Sequence, residues 1–168
     1  MNDSGGYDLE DLMVGMSERF MKTLTERDIF LFASATGDHN PVHLDETYAR
    51  GTRFGGRIAH GMLSASVISA ALASRMPGPG TIYLSQDLTF RRPVMLGETV
   101  NAIVTISALI PDKQRVVLST VCEVNGRVVV DGEAVVMPTS LAARTRLRSN
   151  TEQSDVPAPG SRRFDSER

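Results

Sequence analysis

Asp38 and His43 stand five residues apart in the run Thr36-Gly37-Asp38-His39-Asn40-Pro41-Val42-His43. A carboxylate and an imidazole brought to one point can move protons at neutral pH, because imidazole titrates at about 6.5. Pro41 interrupts any helix entering from its N-terminal side, so the two side chains hang on a turn. Asn40 lies between them with an amide able to orient either one. The same residues also compose an ordinary Asx turn, with Asp38 and Asn40 bonding backbone amides and His43 on the surface. The pattern by itself leaves both readings open.

His60-Gly61-Met62 is the second feature. It opens Ala59–Arg75, a segment with no charge between its two ends apart from His60 itself. Glycine is a poor helix former, so its place in a first turn asks for a reason. Unpaired N–H groups and the positive end of the dipole sit at a helix start. A missing side chain there lets a ligand oxygen reach them, which makes an oxyanion hole from backbone. The plainer readings are a loop passing close to the sheet and a packing role for His60. Ser64, Ser66 and Ser69 lie on the same helix without a Gly-x-Ser-x-Gly elbow, and serines so placed bond back to a carbonyl one turn earlier. A metal site built from Asp38, His39, His43 and His60 ranks low, because Pro41 breaks the helical spacing of the first two histidines; no metal is expected. Cys122, between apolar strand residues, reads as core. Arg91-Arg92 reads as a solvated pair.

These residues need a scaffold. Ser17–Leu24 reads as a strand, and Thr25-Glu26-Arg27-Asp28 has the form of a capping box. The helix that follows shows Ile29, Phe30, Phe32 and Ala33 on one face and stops at Gly37. Asp45 caps a short helix through Tyr48 and Ala49. Ala59–Arg75, apolar or small all round and ended by Pro77-Gly78, predicts a helix buried on every side. Thr81–Arg92 alternates, with Ile82, Leu84, Leu88 and Phe90 on one face. Glu98–Leu109, Arg115–Val124 and Arg127–Met137 follow as strands. Pro111-Asp112 turns the first pair, and Asn125-Gly126 marks the hairpin between the last two. The expected arrangement is α+β: successive antiparallel strands in a meander, curved around one long helix. Such a sheet leaves an edge open, which favours a symmetric dimer.

The chain has 168 residues, 41% hydrophobic and 23% charged, which suits one folded domain. Residues 1–144 are expected to form it, and 145–168, poor in apolar residues, to be a disordered polar tail. Lysine and arginine number 18 against 20 acids, a net charge of −2, which argues against nucleic-acid binding. The single cysteine excludes an internal disulfide framework. No apolar run of about 18 residues spans a membrane, and the acidic N-terminus lacks a signal peptide's pattern, so a cytoplasmic protein is expected.

Gly37-Asp38-His39-Asn40-Pro41-Val42-His43, Ile58-Ala59-His60-Gly61-Met62-Leu63-Ser64-Ala65-Ser66, Ile82-Tyr83-Leu84, Phe90-Arg91-Arg92-Pro93-Val94 and Gly97-Glu98 together resemble the MaoC-like R-specific enoyl-CoA hydratases over about residues 15–138. The resemblance implies a hot-dog fold, a long buried central helix wrapped by a curved antiparallel sheet, in a homodimer or dimer of dimers. It implies reversible addition of water to trans-2-enoyl-CoA to give (R)-3-hydroxyacyl-CoA, with no cofactor beyond the coenzyme A of the acyl-CoA thioester substrate. Carried over by position, Asp38 and His43 are the catalytic dyad and Gly61 the backbone donor to the thioester carbonyl. Asn40 supports the turn, and Ser69 is a helix serine that orients a dyad member. Three other readings remain: a 3-hydroxyacyl-acyl-carrier-protein dehydratase, a thioesterase (which would want a carboxylate on the helix) and a non-catalytic acyl-thioester-binding partner subunit.

Overall fold

The computed structural model describes residue 2 and residues 5–146. Strand β1 (Ser17–Thr23) leads into helix α1 (Glu26–Thr36), short helices α2 (Pro41–Leu44) and α3 (Glu46–Arg50), and the long helix α4 (Gly61–Ser74). Strands β2 (Ile82–Phe90), β3 (Thr99–Ile110), β4 (Arg115–Val124) and β5 (Arg127–Met137) complete it. Residues 141–146 are helical, and the tail expected over 145–168 lies from 147 onward outside the described residues.

Local chemistry accounts for most boundaries. Thr25 accepts from the Asp28 N–H while the Asp28 carboxylate accepts from the Thr25 N–H, so the expected capping box is formed. Gly37 closes α1 by donating to the Ala33 carbonyl. Asn125 and Gly126 both take positive φ, 50° and 72°, as a tight hairpin turn between β4 and β5 requires. In β3 the side chains of Val100, Ala102, Val104 and Ile106 all point into the core, as their alternation predicts.

The five strands form one antiparallel sheet in the order β1-β3-β4-β5-β2. Only β3, β4 and β5 form a meander. β2 does not pair with β3, the next strand in sequence. It pairs with β5 at the far edge, while β1 pairs with β3 at the other. This corrects the expectation of a meander running through every successive strand. The long connection through Pro93 to Glu98 carries the chain from one edge of the sheet to the other side, where a hairpin would have held β2 and β3 together. β2 also bulges: Tyr83 faces Val136 and Ser85 faces Val135, so its simple alternation is broken at Leu84.

Helix α4 packs on β1, β3 and β4. Leu63, Val67, Ile68, Ala71 and Leu72 enter the core against Val104, Leu118 and Cys122. Each fully buried leucine or isoleucine is worth about 1.5–3 kcal/mol of transfer free energy. The helix is not buried on every side, however. Met62, Ser66, Ser69 and Ala73 lie along an exposed strip. One curved sheet reaches only part of the helix circumference, and this strip is what it leaves open. Phe30, expected on the apolar face of α1, is likewise exposed, and Ile29 and Ala33 alone are fully buried there.

Candidate active site

The turn after α1 is built from short-range hydrogen bonds. The Asn40 N–H donates to Asp38 Oδ1 at 3.2 Å, and the Val42 N–H donates to Asn40 Oδ1 at 3.2 Å. Asn40 is thus the N-cap of α2, and Pro41 occupies its first turn, where a missing N–H costs nothing. Pro41 therefore starts a helix as well as ending the run before it. That helix carries His43 inward until its ring is buried. His43 Nδ1 lies 2.9 Å from the Ile58 carbonyl oxygen, which can only accept, so Nδ1 holds the proton and Nε2 keeps a lone pair. Asp38 Oδ2 makes no hydrogen bond among the described residues.

His60 meets this turn from the other side. It is the N-cap of α4, yet its side chain caps nothing. Its Nε2 donates instead to the Asp38 backbone carbonyl at 3.0 Å. Its ring lies against His43 at 3.9 Å between centroids and against Phe32 at 4.9 Å. Nδ1 of His60 is buried with no partner among the described residues. One carboxylate oxygen of Asp38 and one nitrogen from each of His43 and His60 lie within 4.8 Å of one another. Proximity of this kind invites a metal reading. The hydrogen bonds give it little support: His43 Nδ1 and His60 Nε2 are each spent on a carbonyl oxygen, which leaves one nitrogen per ring beside one exposed carboxylate. Burial holds the His43 pKa below its ordinary value, and the neighbouring His60 adds to this against the opposing pulls of the Ile58 carbonyl and Asp38.

Gly61, the first residue of α4, lies beside the histidines. Its N–H makes no hydrogen bond among the described residues, as expected of a helix start whose cap residue is turned elsewhere. A β-carbon built on Gly61 would stand 3.0 Å from the Phe90 ring, so any larger residue would push on β2. Asp38, His60 and Gly61 line a cavity of about 820 Å³ together with Phe32, Ser69 and Leu88. Gly61 also borders a second cavity of about 240 Å³ that includes His43. The pair Asp38–His43 and the open amide of Gly61 therefore meet where two cavities join.

The structure places Asp38, Asn40, His43 and Gly61, the set that the resemblance singles out, in one region around the two cavities. Ser69 shares the larger cavity, but no hydrogen bond links it to Asp38 or His43 among the described residues. Ser64 and Ser66 bond back to the carbonyls of His60 and Leu63, as expected of helix serines. Cys122 is buried and its thiol is pushed up to about 12, so it is inert core. The residue that sequence reasoning undervalued is His60. Its link to Asp38 spans 22 positions, and the only local signal was its place just before Gly61.

The model of the MaoC like domain matches residues 14–127. This chain belongs to the MaoC-like family. It is 52% identical over 128 residues to an (R)-specific enoyl-CoA hydratase of Rhodospirillum rubrum, covering 76% of this chain and 89% of that protein. It is 49% identical over 127 residues to a 3-hydroxybutyryl-CoA dehydratase of Methylorubrum extorquens, covering 76% and 81%. Among solved structures, it superposes on an unliganded R-hydratase from Pseudomonas aeruginosa with a TM-score of 0.77 at 46% identity, covering 80% of this chain and 87% of that one. The fold is the hot-dog fold of these MaoC-like proteins.

Proposed function

We propose that this chain is an R-specific enoyl-CoA hydratase, adding water reversibly to trans-2-enoyl-CoA to give (R)-3-hydroxyacyl-CoA. The observation that carries the reading is the meeting of a carboxylate, a neutral imidazole and an unpaired helix N–H at the junction of two cavities. A thioester oxygen seated on the Gly61 N–H draws electrons from the β-carbon. Water attacks that carbon, and its proton passes to the Asp38–His43 pair. A proton from the pair completes the α-carbon as the enolate-like oxygen collapses. One such amide donor is worth about 3 kcal/mol in the transition state. Because water and donor sit on fixed sides of a flat enoyl group, attack comes from one face. In this reading the base is the Asp38–His43 pair and not one member alone. His60 serves the pair by packing on His43 and bonding the Asp38 backbone. Asn40 supports the turn, and Ser69 offers its hydroxyl along the cavity wall.

The reaction uses no cofactor, since coenzyme A belongs to the substrate, and one domain over residues 1–144 suffices for it. A cytoplasmic setting fits a coenzyme A thioester substrate and a single buried cysteine; no helix among the described residues is long and apolar enough to cross a membrane. A symmetric dimer fits the open β2 edge, where Ile82, Tyr83 and Leu84 are exposed. The test of the reaction is to mix the protein with crotonyl-CoA. Loss of enoyl absorbance, formation of the 3R product and no release of free thiol are expected. Released thiol would make it a thioesterase, and unchanged absorbance a binding module.

A further inference from the structure

The smaller cavity is unlike the larger one. Arg53, Arg91 and Arg92 line it together with His43 and Gly61. A third surface cavity of about 440 Å³ shares Arg92 and Pro93 with it and adds Arg127. The two linings together carry four arginines, a basic track that starts at the cavity bordered by Gly61. Among the described residues, none that lines the larger cavity is a lysine or arginine, and it holds Phe32, Met62, Leu84 and Leu88. The chain as a whole carries −2, so the cluster is not the overflow of a basic protein. Two acids lie near: Asp131 pairs with Arg91 at 3.1 Å, and Glu98 accepts from the Met95 N–H. They leave the track positive. Two of the guanidinium groups are also held in place. Arg92 Nη1 donates to the Val128 carbonyl at 2.7 Å, and Arg53 lies over the Phe54 ring at 4.9 Å.

We propose that Arg53, Arg91 and Arg92, with Arg127 beyond them, seat the phosphates of the coenzyme A moiety and so set the carrier this enzyme accepts. The proposal rests on the hydratase reading above. Polarity divides the substrate: the acyl chain enters the apolar cavity beside α4, and the pantetheine arm leaves past His43 toward the arginines. Guanidinium forks match phosphate oxygens in pairs, so a pyrophosphate and a 3′-phosphate suit this track.

The experiment compares kcat/KM for crotonyl-CoA with that for crotonyl-pantetheine, which ends before the phosphates, and for crotonyl-acyl carrier protein. The wild type should prefer crotonyl-CoA to crotonyl-pantetheine by about a hundredfold, with the preference shrinking as salt is raised. Arg53→Ala, Arg91→Ala and Arg92→Ala should each lower that ratio by about tenfold. All these arginines are exposed, so the variants should fold. Arg92 also bonds backbone; Arg53, which does not, keeps the test sound if Arg92→Ala is damaged. A ratio unchanged in the variants, equal losses for both thioesters, or a wild-type preference for the acyl carrier protein would overturn the proposal. If the wild type hydrates the two small thioesters equally well, the phosphate seat falls and the hydratase reading stands. If it hydrates no enoyl thioester, both fall.

Discussion

At the scale of single residues, the state of His43 decides what the site can do. Its Nδ1–H is tied to the Ile58 carbonyl, so Nε2 is the atom left for proton transfer. Burial disfavours the imidazolium, and the pKa is lowered from 6.5. The neutral ring therefore persists to more acid pH than an ordinary histidine would allow. We expect the acid limb of kcat/KM for crotonyl-CoA to fall at an apparent pKa below 6.5, read from a pH–rate profile. An acid limb at or above that value would contradict the burial account. Stability follows the same sign. Above the unfolded value both states are neutral at this ring. As pH drops below it the unfolded chain takes up the proton first, so stability is lost between the unfolded and the lower folded pKa.

At the scale of elements, β2 carries the most consequence. It is an edge strand with no fully buried residue, and Ile82 is 52% exposed. Exposed apolar edges pair with other chains. We expect sedimentation to give twice the chain mass at micromolar concentration. Ile82→Lys, which sets a charge on that edge outside the larger cavity, should weaken self-association at least tenfold. A monomeric wild type, or a dimer indifferent to Ile82→Lys, would contradict an interface on β2. The same element shows why sequence reading stopped short. Alternation told which residues of β3 face the core, since that depends only on neighbours two apart. The partner of β2 depends on β5, some 50 residues away, and nothing local encodes that pairing. Pro41 was half legible: Asn before Pro is a helix start as well as a turn, and the structure uses the start.

At the scale of the whole molecule, one curved sheet, one helix and one polar turn converge on a single point. The capping box at Thr25, the hairpin at Asn125-Gly126 and the uncharged helix after His60 were all readable in advance. Asp38, His43 and Gly61 were singled out as a set by the family resemblance, where the residue pattern alone left an ordinary Asx turn equally open. The stacking of His60 on His43 and the open strip of α4 were not readable, because each arises only when the long helix meets the turn in space. The sharpest test of the account is turnover of crotonyl-CoA by Asp38→Asn, with folding checked by circular dichroism. Asparagine keeps the shape and the Asn40 hydrogen bond but takes no proton from water. A fall in kcat/KM of about a thousandfold in a folded variant is predicted; activity within about tenfold of wild type would contradict it.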